Sequence, residues 1–565
     1  MTLKDTPNSF LQRLFPFRII PDASWRIFWI FLIINVIQGI FTPLLNDEAY
    51  YWVYSRQLAW GYFDHPPMIA WIISLGYFLF QNEIGVRLLG IILANLSFFL
   101  IYKIIEKESD EKVNFGIVLL MIGGSMFLNL YSFMAIPDTP LLFFTILFLW
   151  QYQRFLEKDN IANSILLGLI SALLVYSKYH GVLVIAFTVM ANPKLFTKKS
   201  FYIVFVTAMV LFIPHLVWQF QNDFQTIRFH LIDKGSSFRL THILSYVGEQ
   251  LAFAGPLILL LFTILQKTKN QFQYTLKFVS LGIFIFFLIA SFRGMVNAYW
   301  TLVAWPGILI LAYLYITRTK QYRKWIYTVF VLGIGLVILM RVNFMFNLLP
   351  IRNFNNRNPR QMASQLSDST QYPLVFENMF IDPSYYLFYQ NDSCYAINNN
   401  TYKKTQFNYL KRYEHFVQEK TVTMVTGFAL NESSRSVSIS KGKTYHLTDV
   451  RNFRSYQSSW HVKAAFLPHF VSNTELVIPI TIQNLSKGSY CPSELQPNYI
   501  SFEMQDRESK ASYTFCHQFK NPGNFDFQLT VPSKTGTYKS FFSISQDTTL
   551  LMRTYNSDIY NIDIE

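Results

Sequence analysis

The chain has 565 residues, of which 52% are hydrophobic, 18% aromatic and only 15% charged. Soluble domains carry about 25% charged residues, so this composition excludes an all-soluble, disordered or coiled-coil protein and points to a polytopic membrane protein. The net charge of +14 does not indicate nucleic acid. Residues 1–350 hold 27 Lys and Arg against 16 Asp and Glu, which puts +11 in the apolar part, where cytoplasmic loops collect cations.

Apolar runs of spanning length fall near 25–45, 84–104, 114–133, 138–156, 161–177, 179–192, 201–220, 243–265, 275–292, 296–316 and 325–347, which predicts about eleven membrane helices. The stretch Pro67 to Phe80 is too short to span and opens on a double proline, so it reads as a helix lying at the interface. Loops carrying Lys103, Lys107, Lys112, Arg154, Lys158, Lys194, Lys198, Lys199, Lys267, Lys269, Arg318 and Arg323 alternate with loops that hold few cations. The positive-inside rule places the first set in the cytoplasm, and an odd number of spans then puts the polar C-terminal part outside, in the periplasm of a bacterial inner membrane.

The chain divides into a transmembrane part over 1–350, a mixed α/β segment over 351–459 and, from 460 to 565, short alternating runs that predict a β-sandwich. Runs such as Glu475 to Ile482 and Tyr538 to Ser545 alternate with period two between turn residues. The three cysteines, Cys394, Cys491 and Cys516, all lie in this part. A Cys491–Cys516 disulfide suits an oxidising compartment, and three unpaired thiols fit the sequence as well. Trp460 and Tyr499 offer rings for sugar stacking, with core packing as the competing use.

The chemistry-bearing residues gather at one set of span ends. Asp47 and Glu48 follow the first span directly, in a short aromatic loop that runs to His65 and Pro67. A partly desolvated carboxylate there is a candidate general base, against the alternative of a solvated helix cap. Asp138 opens the fourth span in Pro137-Asp-Thr-Pro140, again a helix-start pattern. The same face carries Arg56, Lys178, Arg228, His230, Lys234, Arg239 and Arg293. Carboxylates together with cations suit a phosphate-linked lipid substrate, the cations holding the phosphate as it leaves. His65 and His230 with Asp64 or Asp47 could hold a divalent metal, although nothing in their spacing requires one.

The stretch Asp47-Glu-Ala-Tyr-Tyr together with Gly61-Tyr-Phe-Asp-His-Pro-Pro67 resembles the first outer loop of the GT-C glycosyltransferases. Within them it is similar to bacterial members of the protein O-mannosyltransferase and lipid A aminoarabinose-transferase superfamily. Pro137 to Leu142, Ser177-Lys-Tyr179, Trp218 to Phe224, Trp300 to Pro306 and Asp382 to Tyr389 also resemble family segments. The resemblance implies a GT-C architecture and transfer of a sugar from a polyprenyl-phosphate donor to a glycolipid, polysaccharide or protein acceptor on the outer face, with inversion. It implies that Asp47 is the base and Glu48 its neighbour, and that Asp138 orients groups or binds acceptor. Lys178 would touch the donor phosphate, with Arg239 and Arg293 as further candidates. Asp64-His65 departs from the Glu-Lys that precedes the double proline in aminoarabinose-transferase-like members, which leaves acceptor and metal open. A lipid-linked sugar flippase or secondary transporter is the alternative, but it would call for inverted repeats and midplane charges.

Overall fold

The computed structural model describes residues 22–565 except 223, 229–238, 320–322, 350–357, 391–392, 400–401, 440–442, 465–468, 486–497, 508, 510, 520–521 and 547–552. The chain forms two compact units, Met1–Asn355 and Asn356–Glu565.

The first unit is helical. Its helices are α1 (Ala23–Phe41), α2 (Asn46–Ser55), α3 (Met68–Leu79), α4 (Glu83–Glu108), α5 (Phe115–Gly123), α6 (Met126–Leu130), α7 (Asp138–Glu157), α8 (Ile161–Ser177), α9 (Gly181–Ala191), α10 (Lys199–Gln221), α11 (Gln225–Arg228), α12 (Leu240–Ala254), α13 (Gln271–Ser291), α14 (Trp305–Arg318) and α15 (Arg323–Phe346). Every predicted span falls on helix, and seven helical segments among the described residues are long and apolar enough to cross a membrane. The other predicted spans fall on helices that are shorter, interrupted or less apolar, so this measure does not confirm the predicted count of about eleven. These helices expose large apolar side chains such as Ile33, Val206 and Ile338, as a lipid-facing surface requires. The stretch after the double proline is helical (α3), and Leu75, Phe78 and Leu79 on it are exposed.

Two segments differ from expectation. The predicted span 114–133 breaks between α5 and α6. Gly124 packs backbone to backbone with α15, so that a Cβ there would lie 2.4 Å from the Phe330 carbonyl oxygen. The Asn129 amide bridges the break, donating to Ile122 O, Gly123 O and Ser125 O at 2.8–3.2 Å. A break inside an apolar bundle persists only with such satisfaction. The aromatic loop after the first span is helical in its first half, α2, with eight of ten residues buried.

Among the described residues, the second unit contains three sheets. The first has the order β2-β1-β3-β5-β4, formed by β1 (Leu374–Glu377), β2 (Cys394–Ile397), β3 (Val422–Thr426), β4 (Arg435–Ile439) and β5 (Lys443–Val450). In it β1 lies parallel to both β2 and β3, while β5 pairs antiparallel with β3 and β4. The strands from Trp460 onward form a five-stranded and a three-stranded sheet. Phe502 and Phe542 of the larger sheet and Ile480 and Phe527 of the smaller share one apolar core, as in a sandwich. Trp460 is buried in that core against Tyr456, so its ring is unavailable for stacking, whereas Tyr499 is half-buried. Cys491, and with it the Cys491–Cys516 pairing, lies outside the described residues.

Candidate active site

The geometry starts from a buried ion pair. Glu48, in the first turn of α2, is fully buried and its carboxylate receives Nε and Nη2 of Arg87 on α4. It also accepts the backbone N–H groups of Leu45 and Ala135, each at 2.8 Å. Arg87 sends its remaining N–H groups to the carbonyls of Gly39, Thr42 and Pro43, where the end of α1 leaves acceptors without helical partners. One carboxylate and one guanidinium thus join the end of α1, the start of α2, the body of α4 and the turn before α7. Both oxygens of Glu48 are already held by protein donors.

Asp47, one residue earlier, is exposed. It stands in the first turn of α2, where the helix dipole favours a negative charge. Asp138 opens α7 and is buried. Its oxygens lie 2.8 and 2.9 Å from Nζ of Lys178, the buried residue that ends α8. Nζ also sits 4.8 Å from the centre of the Tyr299 ring. The charges of Asp138 and Asp47 both bear on Tyr299, Tyr131 and Tyr51, so the two carboxylates face one tyrosine cluster. Burial pushes the Tyr51 hydroxyl well above its ordinary range, and the charges of Asp64, Asp47 and Asp138 push it the same way. Tyr51 therefore stays a neutral donor.

The segment between α2 and α3 is fixed on both sides. Asp64 accepts from Tyr54 Oη at 2.5 Å, and His65 Nδ1 lies 3.0 Å from Asp64. On the other side, Trp60 O is 2.6 Å from His215 Nδ1, and Thr226 donates to Tyr62 O at 2.9 Å. Gly61 packs on Trp218 so tightly that a Cβ would fall 2.4 Å from the indole. Gln219, next to Trp218, donates to Tyr179 Oη at 2.8 Å and to Thr226 at 2.9 Å. The segments containing Gly61, Ser177-Lys-Tyr179 and Trp218-Gln219 therefore form a single connected network.

Of the predicted site residues, the structure pairs Asp138 with Lys178 and sets Asp47 within electrostatic reach of the same tyrosines, with Glu48 turned into the bundle and His65 against Tyr51. Arg56 is exposed and lies 5.5 Å from the rings of Trp52 and Tyr77. Arg239 and Arg293 are exposed at the ends of α12 and α13. His230 and Lys234 lie outside the described residues, and no group of three His, Cys, Asp or Glu positioned for a metal occurs among those described. Arg87 was not among the predicted site residues, and nor was Arg341. Arg341 is buried on α15, and its Nη2 donates to Asn35 Oδ1 at 2.7 Å and to Asn129. An arginine inside an apolar run was the available signal for both.

Residues 64–218 match the family model described as dolichyl-phosphate-mannose-protein mannosyltransferase. The chain is similar to the lipid A galacturonosyltransferase RgtD of Rhizobium johnstonii, 24% identical over 289 residues. That match covers 48% of this chain and 60% of the relative. A second relative from the same organism, the lipopolysaccharide core galacturonosyltransferase RgtA, is 27% identical over 203 residues, covering 33% of this chain and 40% of the relative. The chain therefore spans 60% or less of the length of these curated relatives. Among solved structures, ArnT from Cupriavidus metallidurans superimposes with a TM-score of 0.57 in the apo state and 0.56 bound to undecaprenyl phosphate. Each superposition covers 76% of this chain and 98% of ArnT at 13% identity. The chain therefore shares the fold of ArnT.

Proposed function

We propose that the chain is a membrane glycosyltransferase that moves a sugar from a polyprenyl-phosphate donor to an acceptor hydroxyl, with inversion at the anomeric carbon. The observation that carries this reading is the convergence of exposed Asp47 and the buried Asp138–Lys178 pair on one tyrosine cluster. The family match, and the undecaprenyl phosphate bound to a protein of the same fold, support a lipid-phosphate donor. The RgtD relative favours a glycolipid acceptor over a protein or polysaccharide.

In this reading Asp47 takes the acceptor hydroxyl proton while that oxygen forms a bond to C1. The C1–O bond to phosphate breaks, and its electron pair leaves with the lipid phosphate. Lys178 has a third N–H beyond the two aimed at Asp138, and that donor would meet the leaving phosphate. Arg239 and Arg293 are further candidates for it. The cation-rich loops support an orientation that opens the site to the extracytoplasmic face.

The test offers radiolabelled polyprenyl-phosphate sugars and lipid A-type acceptor to membranes holding wild type or Asp47→Asn. Wild type is expected to transfer one sugar, and the variant to lose at least a hundredfold in rate. Equal rates would remove Asp47 as the base. A chelator arm reads any metal requirement in the same assay.

A further inference from the structure

A surface concavity lies between the C-terminal ends of α4 and α7. A cleft of about 620 Å³ opens there, lined by Phe99, Lys103, Glu106 and Lys107 from one helix and by Trp150, Arg154, Glu157 and Lys158 from the other side. Its floor is aromatic and its rim is charged. The cations stand in two pairs: Lys103 and Lys107 at i,i+4 spacing on one side of α4, and Arg154 in the last turn of α7 with Lys158, the capping residue whose N–H donates to Arg154 O at 2.9 Å.

The two pairs are not equivalent. The carboxylates in and beside the cleft hold the α4 pair: Lys103 bonds Asp22 at 2.6 Å and Glu106 at 2.9 Å, and Lys107 pairs with Glu157. Among the described residues, neither Arg154 nor Lys158 has a carboxylate at ion-pair distance, and Arg154 lies 4.6 Å from the Trp150 ring. The lining has four cations against two carboxylates, an excess of two positive charges beside an apolar floor at the end of membrane helices.

We infer that this cleft binds a bilayer phospholipid with an anionic headgroup, its phosphate at Arg154 and Lys158 and the start of its acyl chains on Phe99 and Trp150. An ordinary soluble anion would satisfy the cations but not the apolar floor, and a zwitterionic lipid would leave the charge excess in place. The inference does not rest on the reaction proposed for the other site.

The test uses the full-length chain, purified in mild detergent, with native mass spectrometry reading the binding of phosphatidylglycerol against phosphatidylethanolamine. Wild type is expected to prefer the anionic lipid at least tenfold, and inorganic phosphate should not compete. The double variant Arg154→Gln/Lys158→Gln should bring the two lipids within a factor of two. A control variant, Lys194→Gln/Lys199→Gln, alters two exposed cations away from the cleft lining and should keep the preference. Glu157→Gln, which releases Lys107, should strengthen it. Equal binding of both lipids to wild type would overturn the inference. So would a preference that survives the cleft variant, one that falls equally in the control, or full competition by phosphate.

Discussion

Asp47 and Glu48 are adjacent carboxylates with different surroundings, because successive helical residues point about 100° apart. One faces outward and the other turns into the bundle, where two backbone N–H groups and Arg87 receive it. Removing one partner of a buried pair leaves an uncompensated charge and costs about 3–5 kcal/mol, whereas replacing both is often tolerated. Arg87→Met is therefore expected to destabilise the helical unit by about that amount. Glu48→Gln/Arg87→Met should recover part of the loss, since it removes the unpaired charge, although the single glutamine oxygen can accept from only one of the Leu45 and Ala135 N–H groups, which bond different oxygens of Glu48. Thermal unfolding in detergent, followed by loss of the monodisperse peak, checks both. If the double variant melts no higher than Arg87→Met, the penalty does not come from the unpaired carboxylate.

At the scale of elements, the helix ends were legible in hydropathy and capping, and α7 and α8 lie close to where the sequence places them. The break between α5 and α6 was not legible, because the backbone that packs against it, at Phe330 and Gly333, lies some two hundred residues further along the chain. Helix α2 was read as loop because it is buried on nearly every side, which erases the periodic contrast that marks a surface helix. The break carries its own prediction. A Cβ on Gly124 would lie 2.4 Å from Phe330 O, and one on Gly333 would lie 2.2 Å from Gly124 O, so backbone meets backbone with nothing flexible to yield. Gly124→Ala and Gly333→Ala should each destabilise by about 1–3 kcal/mol or more. Together they should cost less than the sum, because either one already separates the helices. Gly123→Ala is the control, since its Cβ would meet only side chains at 3.7 Å or beyond. If that control melts as low as the other two, a general loss of glycine would be responsible rather than the contact.

For the whole molecule, what the sequence could show was residue type at span ends, which lists Asp47, Asp138 and Lys178 as candidates among others. It could not show pairing, because the partners Glu48 and Arg87, Asp138 and Lys178, and Asn35 and Arg341 are 39, 40 and 306 residues apart. The second unit carries a pH response that likewise depends on folding. Glu377 ends β1, between β2 and β3, where burial raises its carboxyl above the ordinary 4.5, against the opposing hydrogen bond from Asn399. The folded unit therefore holds that proton more tightly than the unfolded chain does. Stability is undiminished below 4.5 and falls as pH rises from there through the raised value, since the unfolded state then loses its proton first. Glu377→Gln removes the titration and keeps an oxygen for the amides of Asn378 and Asn399. The expected result is that the variant gains stability over wild type as pH climbs from 4.5 toward neutrality, with no further pH trend once the raised value is passed. Hydrogen exchange at Leu374–Glu377 in the full-length chain reads this as a ratio of variant to wild-type rates, in which intrinsic pH effects cancel. A ratio that stays constant from pH 4 to 8, or moves in the opposite sense, would show that the Glu377 carboxyl ionises without cost where it sits.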